Sequence, residues 1–180
     1  ALSLIKDDSI TWININGLNN IEEIRKIGSY TQLNNLLLED VLDTQHRPKI
    51  EFLEGHLLVI IKMIYYQEEV LISEHIALLL GKNYLITFQE SEGGDVFEPI
   101  RRRIQERDTL LRKYSADFLL FALLDAIVDN YLVILDKIND TIEAIEDEII
   151  SHPREEMISE IQILKKQGSF LQKSIAPARE

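Results

Sequence analysis

Residues 36–51 read LLLEDVLDTQHRPKIE. Leu36, Leu37, Val41 and Leu42 recur at helical spacing, Pro48 closes that pattern, and Lys49, Ile50, Glu51 and Phe52 alternate with the period of a strand. A helix therefore hands over to a strand within a short loop, and the fold class turns on that exchange of periods. The same stretch carries an oddity. Glu39 and Asp40 fall in the last turn or two of the helix, where the macrodipole leaves partial negative charge and cations are preferred. The placement is electrostatically costly and raises the question of what keeps it.

Upstream, ITWINING sets Ile13 and Ile15 on one side of a strand that stops at Gly17. Asn19 or Asn20 can cap a first helix marked by Leu18, Ile21, Ile24 and Ile27, with Gly28 suited to end it. Thr31 offers a cap for the second helix. Downstream, Gly55 marks a tight turn, and LLVIIKMIYY (57–66), VLISEHIALLL (70–80) and NYLITFQ (83–89) are rich in β-branched and aromatic residues, which predicts three more strands. A mixed or antiparallel sheet with flanking helices follows. Gly93, Gly94 and Asp95 end it, and VFEPIRRRIQERD opens a helix with Pro99 in the first turn.

From about Ser115 the pattern changes. Phe121, Leu124, Val128, Tyr131, Leu135, Ile138, Ile142, Ile145 and Ile149 follow at steps of three and four, as in a long helix with a partner along its length. SHP at 151–153 interrupts it, Pro153 can start the next helix, and Met157, Ile161, Leu164, Gly168, Leu171 and Ile175 repeat the spacing. The predicted fold is α/β (α+β): a three-layer helix/mixed sheet/helix domain over residues 1–113, then a long antiparallel acidic helical hairpin over residues 114–180. KSIAPARE at the end holds Pro177 but no capping glycine, so a continuation beyond Glu180 is expected.

Charge and composition narrow the function. With 19 basic against 31 acidic residues the net charge is -12, which repels phosphate backbones and points to cationic partners rather than nucleic acid. The absence of cysteine excludes disulfides and thiolate metal sites. No secretory leader opens the chain, and its most apolar windows fall short of the roughly 20 residues of a membrane span, so this segment is expected to be soluble. His46, His56, His75 and His152 show no zinc-binding spacing, and His75 is expected to be packed and hydrogen-bonded within a strand. Without a nucleophile, a convergent acid/base pair or a phosphate loop, the chain does not read as an enzyme. The basic cluster Arg101, Arg102, Arg103, Arg107, Arg112 and Lys113 is interrupted by Glu106 and Asp108, and pairing with acidic helices of this chain or its neighbour is expected. Asp125, Asp129, Asp136, Asp140, Glu143 and Asp147 form an acidic stripe; it suits hydrated divalent cations, but spacing alone favours a solvated helix face.

Taken in order, TWINING, LLEDVLDTQHRPKIEF, KNYLITFQE, the RRRI segment and ADFLLFALLDAIVDNY resemble the cytoplasmic domain of CorA-type magnesium and cobalt transporters over essentially the whole chain. The resemblance implies a homopentamer with a stalk helix and two membrane helices carrying a Gly-Met-Asn motif, none of them within this chain. It implies a domain on the cytoplasmic face of the cell membrane that senses Mg²⁺, with Co²⁺ also possible, at carboxylates shared between subunits, and so gates the pore. The carboxylates that match are Asp40, with Glu39 beside it, and at a second site Asp125 or Asp129. The stalk aspartate that would complete the first site lies beyond Glu180. A cation held between subunits would explain the carboxylates at the helix end. Two other readings stand beside this one: the zinc-transport branch of the same superfamily, and a stand-alone acidic helical scaffold that binds a partner helix.

Overall fold

The computed structural model describes residues 5–6, 8–106, 111, 114–151, 154 and 156–179. The alternating segments become strands β1 (Thr11–Asn16), β2 (Lys49–Leu53), β3 (His56–Gln67), β4 (Val70–Leu80) and β5 (Tyr84–Gln89). They form one sheet in the order β1-β5-β4-β3-β2, with β1 parallel to β5 and every other pair antiparallel. The helices are α1 (Ile21–Thr31), α2 (Asn35–Leu42), α3 (Glu98–Gln105), α4 (Ala116–Ser151) and α5 (Glu156–Ile175), with a 3₁₀ turn at Ala176–Arg179.

Both sheet faces are apolar, and helices cover each. On one side Leu58, Ile60, Ala77, Leu79, Ile86 and Phe88 pack with Ile24 of α1 and with Leu37, Leu38 and Val41 of α2. On the other, Val59, Met63, Ile76, Leu78 and Leu85 pack with Ile100 of α3 and with Leu119, Leu123, Ile127, Tyr131 and Ile134 of α4. This is the expected three-layer helix/mixed sheet/helix arrangement. The core runs across the change of sequence pattern at residues 113 and 114, because the first half of α4 is itself the third layer. Asn130 Nδ2 donates to the Ile64 carbonyl at 2.5 Å, and the Tyr131 hydroxyl donates to that of Lys62, which pins α4 to β3.

By length and apolar composition α4 could cross a membrane, with a window of mean hydropathy 2.1, a feature the sequence reading had excluded. Its packing against the sheet accounts for part of that apolarity, since 39% of the window is buried. The residues it buries are Ala116, Leu119, Leu120, Ala122, Leu123, Ile127, Tyr131, Ile134, Ile138 and Ile145, while Phe121, Val128, Leu135, Ile142 and Ile149 of the expected seam stay exposed. A flat sheet takes a wider helix face than a second helix does, so a single 3.5-residue repeat describes only the distal half. There, Ile138, Ile142, Ile145 and Ile149 line a groove with Ile161, Leu164 and Gly168 of α5, in antiparallel order. Pro153 and His152 lie outside the described residues.

Helix boundaries follow their caps. Asn20 starts α1 by accepting the Glu23 N–H at 3.2 Å. Gly28 does not end α1: the helix runs on to Thr31 and is closed by Gln32 at φ 57°. Thr31 does not cap α2 either. Its hydroxyl donates back to the Ile27 carbonyl at 2.8 Å, and Asn34 caps α2 by accepting the Leu37 N–H at 2.9 Å.

Candidate metal centre

The end of α2 builds this site. Leu37, Leu38 and Val41 turn one helix face into the core, which leaves Glu39 exposed and Asp40 half-buried, in the last turn as expected. Beyond Pro48, β2 runs beside β3 with Lys49 opposite Ile60 and Glu51 opposite Leu58. Those two partners lie in the cluster beneath α1 and α2, so Lys49 and Glu51 point to the α2 side of the sheet. Ile50 and Phe52 consequently face away and stand 63% and 83% exposed, an apolar pair on an uncovered edge.

Asp40 is not bare. Lys49 Nζ lies 2.5 Å from Asp40 Oδ2 and 2.8 Å from Glu51 Oε2, and His46 Nε2 lies 3.1 Å from Asp40 Oδ1. Burial alone would lower the Lys49 pKa, but its bonds to Asp40 and Glu51 outweigh that and the net shift is upward. Two further donors meet the carbonyls around the helix end. His75 Nε2–H donates to the Val41 carbonyl at 3.1 Å, and Lys62 Nζ donates to that of Thr44 at 2.5 Å. The electrostatic cost of carboxylates at a helix C-terminus is thus offset first by this chain's own cations.

The second pair of candidates lies elsewhere. Asp125 and Asp129 are exposed on α4, which packs on the opposite face of the sheet from α2. The sheet therefore keeps Glu39 and Asp40 apart from Asp125 and Asp129 within one copy. Asp136, Asp140, Glu143 and Asp147 are exposed as well, as a solvated helix face requires. Among the described residues no group of three or more His, Asp or Glu side chains is placed to hold a metal ion. What α2 offers is one or two carboxylate oxygens, a donor set that suits a hydrated Mg²⁺ ion, since Mg²⁺ keeps most of its own waters.

Arg101 and Arg102 of the basic segment pair locally. Arg101 makes a bidentate pair with Asp95, with Nη1 2.8 Å from Oδ1, and its guanidinium lies over the Trp12 ring, 5.5 Å from the centroid. Arg102 pairs with Glu98 of its own helix at 3.1 Å. Neither pairs with the acidic helices α4 and α5 of this chain, and Arg107, Arg112 and Lys113 lie outside the described residues. The residue sequence reasoning missed is Lys49. The signal was there in the period of two, which sets Lys49 and Glu51 together on one side of β2.

The model of the CorA-like Mg²⁺ transporter protein family matches residues 7–180. The chain is 40% identical over 172 residues to the cobalt/magnesium transport protein CorA of Thermotoga maritima, covering 94% of this chain and 49% of that protein. It is 23% identical over 159 residues to the cobalt/magnesium transport protein CorA of Methanocaldococcus jannaschii, covering 88% of this chain and 50% of that protein. The chain thus spans about half the length of these relatives. Among solved structures, the soluble domain of CorA from M. jannaschii superposes with a TM-score of 0.76 at 23% identity, over 96% of this chain and 71% of that one. The cytoplasmic domain of ZntB from Vibrio parahaemolyticus gives 0.76 at 16% identity, over 98% and 69%, so this chain shares its fold as well. On the family match along nearly its whole length, and on the identity to the Thermotoga protein, this chain belongs to the CorA-like Mg²⁺ transporter family.

Proposed function

We propose that this chain is the cytoplasmic, cation-sensing part of a magnesium and cobalt transporter, in which divalent ions held between copies keep a membrane pore closed. The observation that carries the reading is the position of Asp40 and Glu39 at the end of α2, with Asp125 and Asp129 across the sheet. One copy offers each site one or two carboxylates, enough to hold a hydrated ion weakly, and a second copy or a segment beyond Glu180 would supply the ligands that tighten it. A pentamer would repeat that contact around a ring. Phe121, Val128 and Leu132, exposed at seven- and four-residue spacing on one face of α4, support assembly, because an apolar stripe left uncovered marks a contact surface.

Mg²⁺ is the regulatory ion in this reading and, with Co²⁺, the transported one. The zinc-transport alternative loses ground: the 40% identical relative is a cobalt/magnesium transport protein, whereas the likeness to ZntB shows the fold alone. A stand-alone scaffold gives no reason for the family match along residues 7–180.

Limited proteolysis of the complete transporter in a Mg²⁺ titration tests the proposal. The wild type is expected to become protected as Mg²⁺ rises, and Asp40→Ala to need a several-fold higher concentration. Unchanged protection in Asp40→Ala would remove Asp40 from the sensor.

A further inference from the structure

The carboxylate assigned to the sensor is already occupied. Both Asp40 oxygens are engaged within the chain, Oδ2 by Lys49 Nζ at 2.5 Å and Oδ1 by His46 Nε2 at 3.1 Å. A divalent ion approaching Asp40 meets an ammonium first, and two cations on one carboxylate repel each other strongly in a half-buried setting. The ion therefore binds as fast and as tightly as Lys49 allows. Lys49 has somewhere to go: Glu51 Oε2 already lies 2.8 Å from its Nζ, on the neighbouring position of the same strand face. Leaving Asp40 does not strand the ammonium without a partner.

We infer that Lys49 is a built-in competitor of the sensor cation: it holds Asp40 when divalent ions are scarce, moves onto Glu51 as an ion binds, and so sets the concentration at which the sensor responds. This deepens the proposed function and rests on it. A tethered group acts at an effective concentration of order millimolar or more. Such a competitor raises the threshold of a carboxylate site without altering its ligands. A compact ammonium on a four-carbon stem suits that task, because it can shift between two carboxylates by rotation alone. Glu51 is then part of the device. Removing it would leave Lys49 with Asp40 only and raise the threshold.

The test uses this 180-residue chain and Mn²⁺ as a paramagnetic stand-in for a hard, oxygen-seeking divalent ion. The readout is the Mn²⁺ concentration that broadens the backbone amide resonances of residues 39–51. Lys49→Gln is expected to lower that concentration about fivefold, the factor that an ion pair of about 1 kcal/mol would impose. Glu51→Gln is expected to raise it, Lys49→Arg, which keeps the charge, to leave it above that of Lys49→Gln, and Asp40→Asn to abolish the local broadening with or without Lys49→Gln. Lys26→Gln removes the same charge from exposed α1 and is expected to change little. Lys49→Met replaces Lys49→Gln where the amide spectrum shows a disturbed β2.

Broadening centred on residues 39–51 at equal concentrations in the wild type and Lys49→Gln would overturn the competitor and leave the sensor reading intact. A shift in Lys26→Gln as large as that in Lys49→Gln would also overturn it, since bulk charge would then be the cause. Absence of local broadening in every variant, Lys49→Gln included, would overturn the competitor, since Asp40 freed of Lys49 would then take no ion; the proteolysis of the complete transporter decides the sensor reading separately.

Discussion

Gly28 of α1 stands so close to Leu38 of α2 that a Cβ built on the glycine would lie 2.5 Å from the leucine Cδ1 and 2.8 Å from its Cδ2. The glycine is there for close approach, not to end the helix. Its carbonyl accepts the Leu33 N–H at 2.9 Å, so the same residue also fixes the turn that leads into α2.

Gly28→Ala sets two effects against each other. Overpacking a tight contact costs about 1–3 kcal/mol, and replacing glycine within a helix returns about 1 kcal/mol. A net loss of about 1 kcal/mol is expected by denaturant unfolding. Leu38→Ala alone costs about 2–5 kcal/mol as a large-to-small change in a core, and in that background Gly28→Ala should become neutral or stabilising. Strict additivity of the two would show that no contact couples them.

The β3–β4 turn invites the opposite intervention. Glu68 and Glu69 occupy its two central positions with φ 47° and 65°, the left-handed pair that a two-residue hairpin turn needs and that Asn-Gly fills at least cost. Glu69 reaches Lys137 of α4 at 3.0 Å, but both side chains are largely exposed and such a pair is worth little. Glu68→Asn with Glu69→Gly is expected to raise the melting temperature by a few degrees. A lower melting temperature would mean that the tie to Lys137, whose ammonium also lies 4.2 Å from the Tyr66 ring centre, matters more than backbone strain.

Glu74 is 1% exposed, with Tyr65 donating to Oε2 at 2.8 Å and the Ser91 N–H to Oε1 at 2.9 Å. Burial pushes its pKa up despite those donors, and the nearby Glu90 and Asp95 carboxylates push the same way. A carboxyl group whose folded pKa is raised contributes stability below its unfolded value of about 4.3, and that contribution is lost as pH rises through the folded value. Glu74→Gln removes the titration. Its melting temperature relative to the wild type should therefore improve from pH 4 to pH 8, and a difference independent of pH would contradict this account.

The layering was legible because periods of two and of three to four alternate cleanly along the first 90 residues, and Asn20 and Pro99 sit where their local chemistry requires. The family was legible from the order of several stretches, and it is one of ion transporters, in keeping with a chain read as no enzyme. What escaped was tertiary. Thr31 and Asn34 are both capping residue types, and only the left-handed Gln32 between them settles which one acts. Arg101 found its partner in the loop before α3, where Asp95 keeps a lowered pKa because Arg101 and the Phe97 N–H outweigh the upward push of burial. The pairing of Asp40 with Lys49 depends on which face of β2 turns inward, and the apolar Ile50 and Phe52 argued for the other face.

His75 completes the α2 terminus and gives the last prediction. Its ring is fully buried, and the Val41 carbonyl requires a proton on Nε2, which leaves Nδ1 as a buried acceptor without a partner. Burial lowers its pKa; Lys62 on β3 and His46 beyond α2 add to the lowering, while the Val41 carbonyl and Glu90 after β5 oppose it. A histidine with a depressed folded pKa contributes stability above its unfolded value of about 6.5, and loses it as pH falls from there toward the folded value. His75→Gln can keep a donor for Val41 without titrating. Between pH 7 and pH 5 the wild type should lose stability faster than His75→Gln, by up to about 1.4 kcal/mol per pH unit, the limit for one proton. The comparison is of slopes, since the substitution itself carries a packing cost that is the same at both ends. Parallel slopes in urea unfolding would mean that a proton reaches Nδ1 without penalty, and that the ring is not held as the neutral Nε2–H form beneath the end of α2.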